Sequence, residues 1–266
     1  MSLVLDFLLS GGRVRQKVAS YLHGAIWARR SFGGRSDTPD MRLLDDVQLL
    51  GRVAIDVGAH AGNWTQNLAR RVGLDGTVLA YEALPHYGRA LTWSTRLLRG
   101  RNVQVRVVAV GNREGLIPLR WRSVANERLT GTTHIEPGVK NSAGVIEVRM
   151  VTLDSDLASH GIHPSDVAFV KIDVEGAELE VLKGATNLLS QGRPVFYMEV
   201  EPLWLERMGH SVNDVFDLMA LHGYEPSLVT ESGLVGTNVD SYLSQYADRC
   251  EFNNVLFRPS TSQAKV

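Results

Sequence analysis

The segment VAFVKIDVEGAE, residues 167–178, joins an apolar strand to a group of acidic residues. The strand formers at 167–170 run directly towards Asp173 and Glu175, and a helix is predicted from Glu178. An ionised carboxylate at the end of a buried strand needs a cation or a hydrogen-bonding ligand, because its desolvation is costly. Ligands of open α/β sheets bind at the carboxyl ends of the strands. The segment therefore predicts where an active site lies.

Strands and helices alternate on the N-terminal side of this segment. Predicted strands at 52–56, 77–82 and 103–110 are separated by predicted helices at 62–72 and 85–98. Strands separated by helices of this length imply parallel βαβ units.

An interruption follows, and then the alternation resumes. Two strand-like segments, 115–121 and 145–151, enclose a Gly/Thr/Asn-rich connection and predict an inserted hairpin or flap. The remaining predicted elements are a strand at 167–173, a helix at 178–189, a strand at 194–200, a helix at 212–221, a strand at 224–229 and an edge strand at 252–257.

The length and composition suit one α/β domain with an extension. The chain has 266 residues, of which 44% are hydrophobic and 21% charged, as in ordinary globular proteins. We predict a helical N-terminal extension over residues 1–40, a catalytic domain over 41–260 with the flap at about 115–150, and a tail at 261–266.

The net charge and the cysteine content indicate which partners and which cellular compartment to expect. A net charge of -1 gives no case for a nucleic-acid partner. Cys250 is the single cysteine, so an internal disulfide is excluded, which agrees with a reducing compartment. No apolar run reaches the roughly 18 residues that cross a bilayer, and Asp6 interrupts the apolar start. We expect a cytoplasmic protein.

The motif DVGAHAGNWT, residues 56–65, predicts a nucleotide-like ligand at the first strand end. In the dinucleotide fingerprint a second glycine admits a pyrophosphate, but here His60 takes that place. S-adenosylmethionine has no phosphates; its amino group suits Asp56 and its carboxylate suits N–H groups at the helix start. An ordinary tight turn is the alternative.

Two later strand ends extend the predicted cofactor site. Glu82 lies about 20 residues beyond the glycine turn, where an acid accepts hydrogen bonds from ribose hydroxyls; a solvated acid at a helix start is the alternative. Ala109 is small enough for an adenine ring to lie flat, or it simply packs. The predicted cofactor-binding residues are Asp56, Gly58, Ala59, His60, Gly62, Asn63, Thr65, Glu82 and Ala109.

Asp173 and Glu199 are the predicted catalytic carboxylates. They close two consecutive strands, and if those strands are neighbours the two groups must share a proton or hold a cation. Such oxygen ligands suit Mg²⁺, which would lower the pKa of a substrate hydroxyl; without metal, one carboxylate acts as general base. Glu175 and Glu201 are candidate companions, whereas Glu178 is interpreted as an acid favoured by a helix start.

His134 in the predicted flap is the third catalytic candidate. A flap that closes over the cleft would place it as a general base, and an exposed loop histidine is the alternative. Trp121 and Trp204 would line an acceptor pocket or pack in the core.

The N-terminal segment combines apolar and basic residues. It predicts either peripheral contact with the inner face of an anionic membrane near a lipid-linked acceptor, or a helical cap or homo-oligomer contact.

Together these residues resemble the FkbM family of S-adenosylmethionine-dependent methyltransferases. The resemblance is carried by DVGAHAGNWT (56–65), YEALP (81–85), VTLDSDL (151–157), VKIDVEGAELEVLKGA (170–185) and RPVFYMEVE (193–201). It implies a class I methyltransferase (Rossmann-like) fold: a seven-stranded, mostly parallel sheet with an antiparallel last strand. The family commonly has Asn where this chain has His60.

The resemblance implies O-methylation, which family members perform on sugars, glycolipids and other natural products. We therefore expect an S-adenosylmethionine-dependent O-methyltransferase acting on a hydroxyl of a small-molecule, saccharide or lipid-linked acceptor, such as a glycoconjugate or polyketide. The rivals are a nicotinamide-dependent oxidoreductase, which His60 disfavours, and an inactive membrane-associated binding module, which the presence of Asp56, Glu82 and Asp173 disfavours.

Overall fold

The computed structural model describes most of the chain between residues 39 and 260. The described residues are 18–22, 24–26, 39–98, 100–121, 134–135, 144–230, 233–249 and 254–260. The predicted tail at 261–266 and most of the predicted flap connection lie outside them. The predicted domain boundaries stay a prediction.

The strands and helices are numbered in chain order. The strands are β1 Val53–Val57, β2 Thr77–Tyr81, β3 Val103–Arg106, β4 Ala109–Val110, β5 Gly115–Arg120, β6 His134–Ile135, β7 Val145–Val151, β8 Val167–Ile172, β9 Val195–Glu199, β10 Tyr224–Thr230, β11 Gly233–Gly236 and β12 Asn254–Pro259. The α-helices are α1 Asn63–Val72, α2 Pro85–Leu97, α3 Leu153–Ser159, α4 Glu178–Lys183, α5 Pro202–Arg207, α6 Val212–Leu221 and α7 Val239–Arg249.

Local signals explain where several helices begin. Pro85 occupies the first turn of α2, where its missing N–H costs nothing. Ser211 and Asp214 form a capping box at the start of α6. The helix α1 begins instead after Gly62, whose left-handed backbone turns the chain out of β1.

The larger sheet has eight strands in the order β11-β10-β12-β9-β8-β1-β2-β3. The five strands from β3 to β9 run parallel to their neighbours, and β12 is antiparallel to both β9 and β10. The predicted class I methyltransferase sheet, mostly parallel with an antiparallel last strand, is confirmed. A short hairpin to β11 adds one strand beyond the predicted seven.

The position of β12 corrects one prediction. The last predicted strand, 252–257, was expected to lie at the edge of the sheet. In the structure β12 lies between β9 and β10. Val255, Leu256 and Phe257 are each fully buried, so both faces of the strand are covered. A continuous apolar run of this kind is typical of an interior strand.

The predicted third strand is also divided. The chain leaves the larger sheet after β3, exposes Val107, and forms β4 in a second sheet with the order β4-β7-β5-β6. In that sheet β5 and β7 are antiparallel along their length, as the predicted hairpin requires.

The predicted helix 178–189 is shorter than expected. The helix α4 ends at Lys183, and a π-helical turn, Leu188–Gly192, follows separately. A Cβ on Gly184 would lie 2.0 Å from the carbonyl oxygen of Gly111, so the chain approaches that backbone too closely for a side chain. This close packing coincides with the end of the helix.

The described part of the N-terminal extension is helical and packs against α2. The ring of Tyr21 meets Trp93 edge-on with centroids 4.6 Å apart, and a Cβ on Gly24 would lie 2.6 Å from the carbonyl oxygen of Ala90. Ala19 is fully buried. This packing is what the helical-cap alternative predicts.

The central strands are covered on both faces. Ile55 and Val170 contribute to one apolar cluster, and Ala54 and Phe169 to another, each with no exposed surface. Ligands can therefore reach these strands only at their ends. Among the described helices, none combines the length and apolar character required to traverse a bilayer.

Candidate active site

The turn after β1 requires glycine at two positions. Gly58 has φ 78° and Gly62 φ 81°, values that favour glycine. A Cβ on Gly58 would lie 1.9 Å from the carbonyl oxygen of Asp173, and one on Gly62 would lie 2.4 Å from Cδ1 of Leu91. The N–H of Gly58 donates to the carbonyl of Tyr81 at 3.0 Å. The turn is therefore held against the ends of β2 and β8.

Glu82 follows β2 directly and is buried. Its Oε2 accepts from the N–H of His60 at 2.9 Å, and its Oε1 accepts from the N–H of Leu84 at 2.8 Å. Burial raises the pKa of Glu82 to about 7, although both backbone hydrogen bonds oppose the shift. Each carboxylate oxygen has a further lone pair, so Glu82 can still accept a hydrogen bond from a ligand hydroxyl.

His60 has a conformation that is unusual for a residue other than glycine. Its φ is 43°, in the left-handed region. Its ring meets that of Tyr87 edge-on with centroids 4.7 Å apart. The side chain therefore forms part of the wall beside the glycine turn.

Asp56 lies beneath the turn and has no exposed surface. Thr65 donates its hydroxyl to Oδ2 at 2.5 Å, and Nζ of Lys171 lies 3.6 Å from Oδ1. Burial raises the pKa of Asp56, and the charge of Lys171 opposes that rise. The predicted contact of Asp56 with the cofactor amino group stays a prediction.

Lys171 is a site residue that sequence reasoning missed. Its Nζ lies 3.1 Å from Oδ2 of Asp173 and donates to the carbonyl of Gly58 at 3.2 Å. Burial lowers the pKa of Lys171, but the charges of Asp173 and Asp56 outweigh it and raise the pKa overall. The available signal was alternation, since residues two apart on an extended strand point to the same side.

Three carboxylates meet where β8 and β9 end. The two strands are parallel neighbours, with Asp173 after β8 and Glu199 at the end of β9. One oxygen from each of Asp173, Glu175 and Glu199 lies within 4.8 Å of the others. The structure thus brings Asp173 and Glu199 together, as expected if their strands were neighbours, and adds Glu175.

The three carboxyls differ in charge at neutral pH. Burial and the charge of Asp173 raise the pKa of both Glu175 and Glu199 to about 8. For Asp173 burial acts in the same direction, but the ammonium of Lys171 holds its pKa below the usual value. Asp173 is therefore the ionised member of the cluster, and its side chain is 43% exposed.

The loop that carries Glu175 is held in a tight conformation. Glu175 has φ 55°, and Oε1 of Glu178 accepts from the N–H groups of Val174 and Gly176 at 3.1 and 3.2 Å. A Cβ on Gly176 would lie 2.3 Å from the carbonyl oxygen of Trp204. The sequence suggested only that Glu178 begins a helix. In the structure its carboxylate also holds the loop in place through hydrogen bonds to two backbone N–H groups.

Glu201 and Trp204 have local structural roles. Oε1 of Glu201 accepts from the N–H of Leu203 at 3.2 Å at the start of α5, and from the hydroxyl of Tyr246. The guanidinium of Arg207 lies over the ring of Trp204, 4.2 Å from its centroid. These contacts favour the packing interpretation for Trp204.

A cleft opens at this edge of the sheet. Its empty volume of about 870 Å³ includes space that is continuous with solvent. Apolar side chains such as Tyr81, Tyr87 and Leu119 contribute to its wall. The predicted site residues that line it are Gly58, His60, Glu82, Ala109, Asp173 and Glu175.

Other predicted residues lie beside the cleft. Ala59 and Thr65 are buried within the turn and α1, Gly62 precedes that helix, and Asn63 is its exposed first residue. Their cofactor contacts stay predictions.

The flap residues are described only in part. The backbone of His134 pairs with Arg120 between β6 and β5, but its side chain lies outside the described residues. The ring of Trp121 lies against His86, with centroids 5.4 Å apart. A catalytic role for His134 stays a prediction.

The sequence matches the family described as methyltransferase FkbM domain over residues 56–226. The chain belongs to the FkbM methyltransferase family. The matched range of this FkbM chain contains the glycine turn, Glu82 and all three clustered carboxylates. No curated protein matches the sequence.

Solved methyltransferase structures are similar to this FkbM chain at low identity. A methyltransferase FkbM from Methylobacillus flagellatus KT is 15% identical with a TM-score of 0.48, and the match covers 96% of this chain and 57% of that one. A SAM-dependent methyltransferase from Aquifex aeolicus is 14% identical with a TM-score of 0.46, covering 83% and 88%. An O-methyltransferase from Bacillus cereus in complex with SAH is 13% identical with a TM-score of 0.45, covering 97% and 96%. This chain thus spans little more than half the length of the Methylobacillus protein.

Proposed function

We propose that this protein is an S-adenosylmethionine-dependent O-methyltransferase that acts on a hydroxyl of a sugar, glycolipid, other glycoconjugate or polyketide natural product. The observation that carries the proposal is that Asp173, an ionised carboxylate, lines the same cleft as the glycine turn and Glu82. A base and a nucleotide-like cofactor site therefore share one space in a chain of the FkbM family.

The cleft fits a cofactor with a ribose but without phosphates. Gly58 and Glu82 line the cleft together, and Glu82 retains lone pairs that suit ribose hydroxyls. Ala109 presents a small side chain to the same cleft. The full side chain of His60 stands where a pyrophosphate would need glycine, which disfavours the nicotinamide-dependent alternative.

The residues at the end of β8 would prepare the acceptor. S-adenosylmethionine supplies an electrophilic methyl group when bound. Asp173 would accept the proton of the acceptor hydroxyl at its carboxylate, and Lys171 would keep that carboxylate ionised before the transfer. The remaining task of the cleft is to align the acceptor.

A divalent cation fits the three-carboxylate cluster. Burial and the neighbouring charge of Asp173 raise the pKa of Glu175 and Glu199, so a bound cation would favour their ionised forms. Asp173, Glu199 and Glu175 would hold Mg²⁺, which would lower the pKa of a bound hydroxyl. This metal assistance is part of the proposal and is separable from cofactor binding.

The direct test begins with cofactor binding. Isothermal titration with S-adenosylhomocysteine, with NAD as the comparison, should show binding of the first and none of the second; the reverse result would overturn the proposal. Incubation with labelled S-adenosylmethionine and a fractionated cell extract, followed by mass spectrometry, then identifies the acceptor. Label recovered on nitrogen or carbon rather than oxygen would refute O-methylation.

Membrane contact is a separate part of the proposal, suited to a lipid-linked acceptor. Within the described residues, Val18, Tyr21 and Leu22 remain exposed on the helix that packs against α2. Deletion of residues 1–35 should abolish binding to anionic liposomes if this segment attaches the protein. Binding that survives the deletion rejects the attachment, and size-exclusion chromatography of both forms tests the alternative of a homo-oligomer contact.

A further inference from the structure

The ammonium of Lys171 meets three acceptors, two of them at the end of β1 and in the glycine turn and the third just after its own strand, β8. Nζ lies 3.1 Å from Oδ2 of Asp173 after β8, 3.2 Å from the carbonyl oxygen of Gly58 in the glycine turn, and 3.6 Å from Oδ1 of Asp56 at the end of β1. The side chain is only 6% exposed. A lysine ammonium has three N–H groups, so its capacity equals the number of these acceptors.

The strand register explains why a single side chain reaches all three. Lys171 is the register partner of Asp56 across the β1–β8 ladder. The N–H of Asp173 donates to the carbonyl of Val57 at 3.1 Å, and a Cβ on Gly58 would lie 1.9 Å from the carbonyl oxygen of Asp173. The backbones of the glycine turn and of Asp173 are therefore in direct contact, and the ammonium of Lys171 lies beside both.

Removal of the positive charge would leave this junction unbalanced. Oδ1 of Asp56 has no hydrogen-bond partner among the described residues, so Lys171 provides its compensation. A buried charge that loses its partner is strongly destabilised. Unless Asp56 or Asp173 then takes up a proton, the two carboxylates would repel each other, and their separation would move the turn and Asp173 relative to each other.

We propose that Lys171 is a positioning residue, whose ammonium fixes the glycine turn that holds the cofactor to the carboxylate that receives the acceptor proton. This inference rests on the proposed function, because it assigns the turn to the cofactor. It predicts that cofactor affinity depends on the charge of a residue that lies outside the cleft lining.

The test measures the affinity of S-adenosylhomocysteine by isothermal titration, so no acceptor is needed. Lys171→Met keeps the apolar stem and removes the ammonium, and we expect binding to weaken on the order of 10- to 100-fold, as for small misplacements of a binding group. Lys183→Met is the matched control, since Lys183 is a 44% exposed lysine on α4 paired with Glu180. Its affinity should equal that of the native protein.

Chemical rescue separates positioning by charge from simple packing. Lys171→Ala leaves space for the three carbons and the nitrogen of n-propylammonium, which should restore a large part of the lost affinity. 1-Propanol, of similar shape but without charge, should restore little. A residue that merely fills space would be rescued equally by both.

Each outcome decides the inference. If the native protein does not bind S-adenosylhomocysteine, the proposed function fails first. If it binds and the Met and Ala variants bind equally well, or if propanol rescues as well as propylammonium, the positioning role is overturned. If circular dichroism shows that both neutral variants are unfolded, Lys171 is a folding residue and the proposal is likewise overturned.

Discussion

Replacement of Glu178 by Gln should make the protein more stable at high pH. The residue is 1% exposed, and Oε1 accepts hydrogen bonds from two backbone N–H groups, while Oε2 has no hydrogen-bond partner among the described residues. Burial is the main cause that raises the pKa of Glu178, from 4.5 to about 7. An amide oxygen can keep both accepted hydrogen bonds and removes the buried charge.

The magnitude follows from the size of that shift. Between pH 4.5 and about 7 the folded protein keeps the Glu178 proton that the unfolded chain releases, so stability falls as pH rises through this window. At about 1.4 kcal/mol per pKa unit, the full cost above pH 7 is about 3 kcal/mol. The new buried amide N–H₂ costs about 1 kcal/mol at every pH. Glu178→Gln should therefore gain about 2 kcal/mol at pH 8 and lose about 1 kcal/mol at pH 4.5.

Urea unfolding followed by circular dichroism at both pH values measures these differences. Glu206→Gln is the matched control, because Glu206 is an exposed acid on the next helix along the chain, α5. Its effect should be small and the same at both pH values. If Glu178→Gln changes the free energy of unfolding equally at pH 4.5 and pH 8, the buried carboxylate does not carry the proposed cost.

Three further predictions concern the cleft. Gly58→Ala should abolish S-adenosylhomocysteine binding, because its Cβ would lie 1.9 Å from the carbonyl oxygen of Asp173. The control is Gly51→Ala, which has a similar φ of 74° and no atom within 4 Å of the added Cβ, and it should cost only about 1 kcal/mol of stability and no affinity. Equal effects in the two variants would argue against the proposed turn. Cofactor affinity should fall as pH is lowered through about 7, because a protonated Glu82 accepts hydrogen bonds less well. Glu82→Gln should bind the cofactor more weakly, and its affinity should no longer depend on pH in this range. A variant that keeps the native pH profile contradicts the ribose role. Mg²⁺ should raise the melting temperature of the native protein but not that of Glu199→Gln, and EDTA should remove the methyltransferase activity. If Mg²⁺ causes no thermal shift and the activity survives EDTA, the metal hypothesis is excluded.

The strand ends were predictable from the sequence, whereas their connections were not. Glu82, Asp173 and Glu199 each follow or close a recognisable apolar run, and parallel strands bring such residues to one edge. Alternation could have paired Lys171 with Asp173, but its contacts with Asp56 and Gly58 depend on the register of β1 against β8. Local patterns contain no such long-range register.

The other differences between prediction and structure arise where contacts are distant in sequence or where the local pattern is weak. Glu178 resembles any acid at a helix start, and its role depends on how the preceding loop folds back to it. The interior place of β12 depends on pairing with strands distant in sequence. The short strand β11 and the helices α3, α5 and α7 were missed because their apolar patterns are brief or mostly polar.

The position of β12 constrains how the chain can fold during synthesis. It is the last described strand, yet it alone joins β9 to β10 in the larger sheet. Until residues 254–259 have left the ribosome, β10 and β11 have no strand that links them to the parallel portion, and the edge of β9 stays open. Completion of this sheet therefore waits for β12, and until then the nascent chain presents an unpaired strand edge of the kind that associates with other chains.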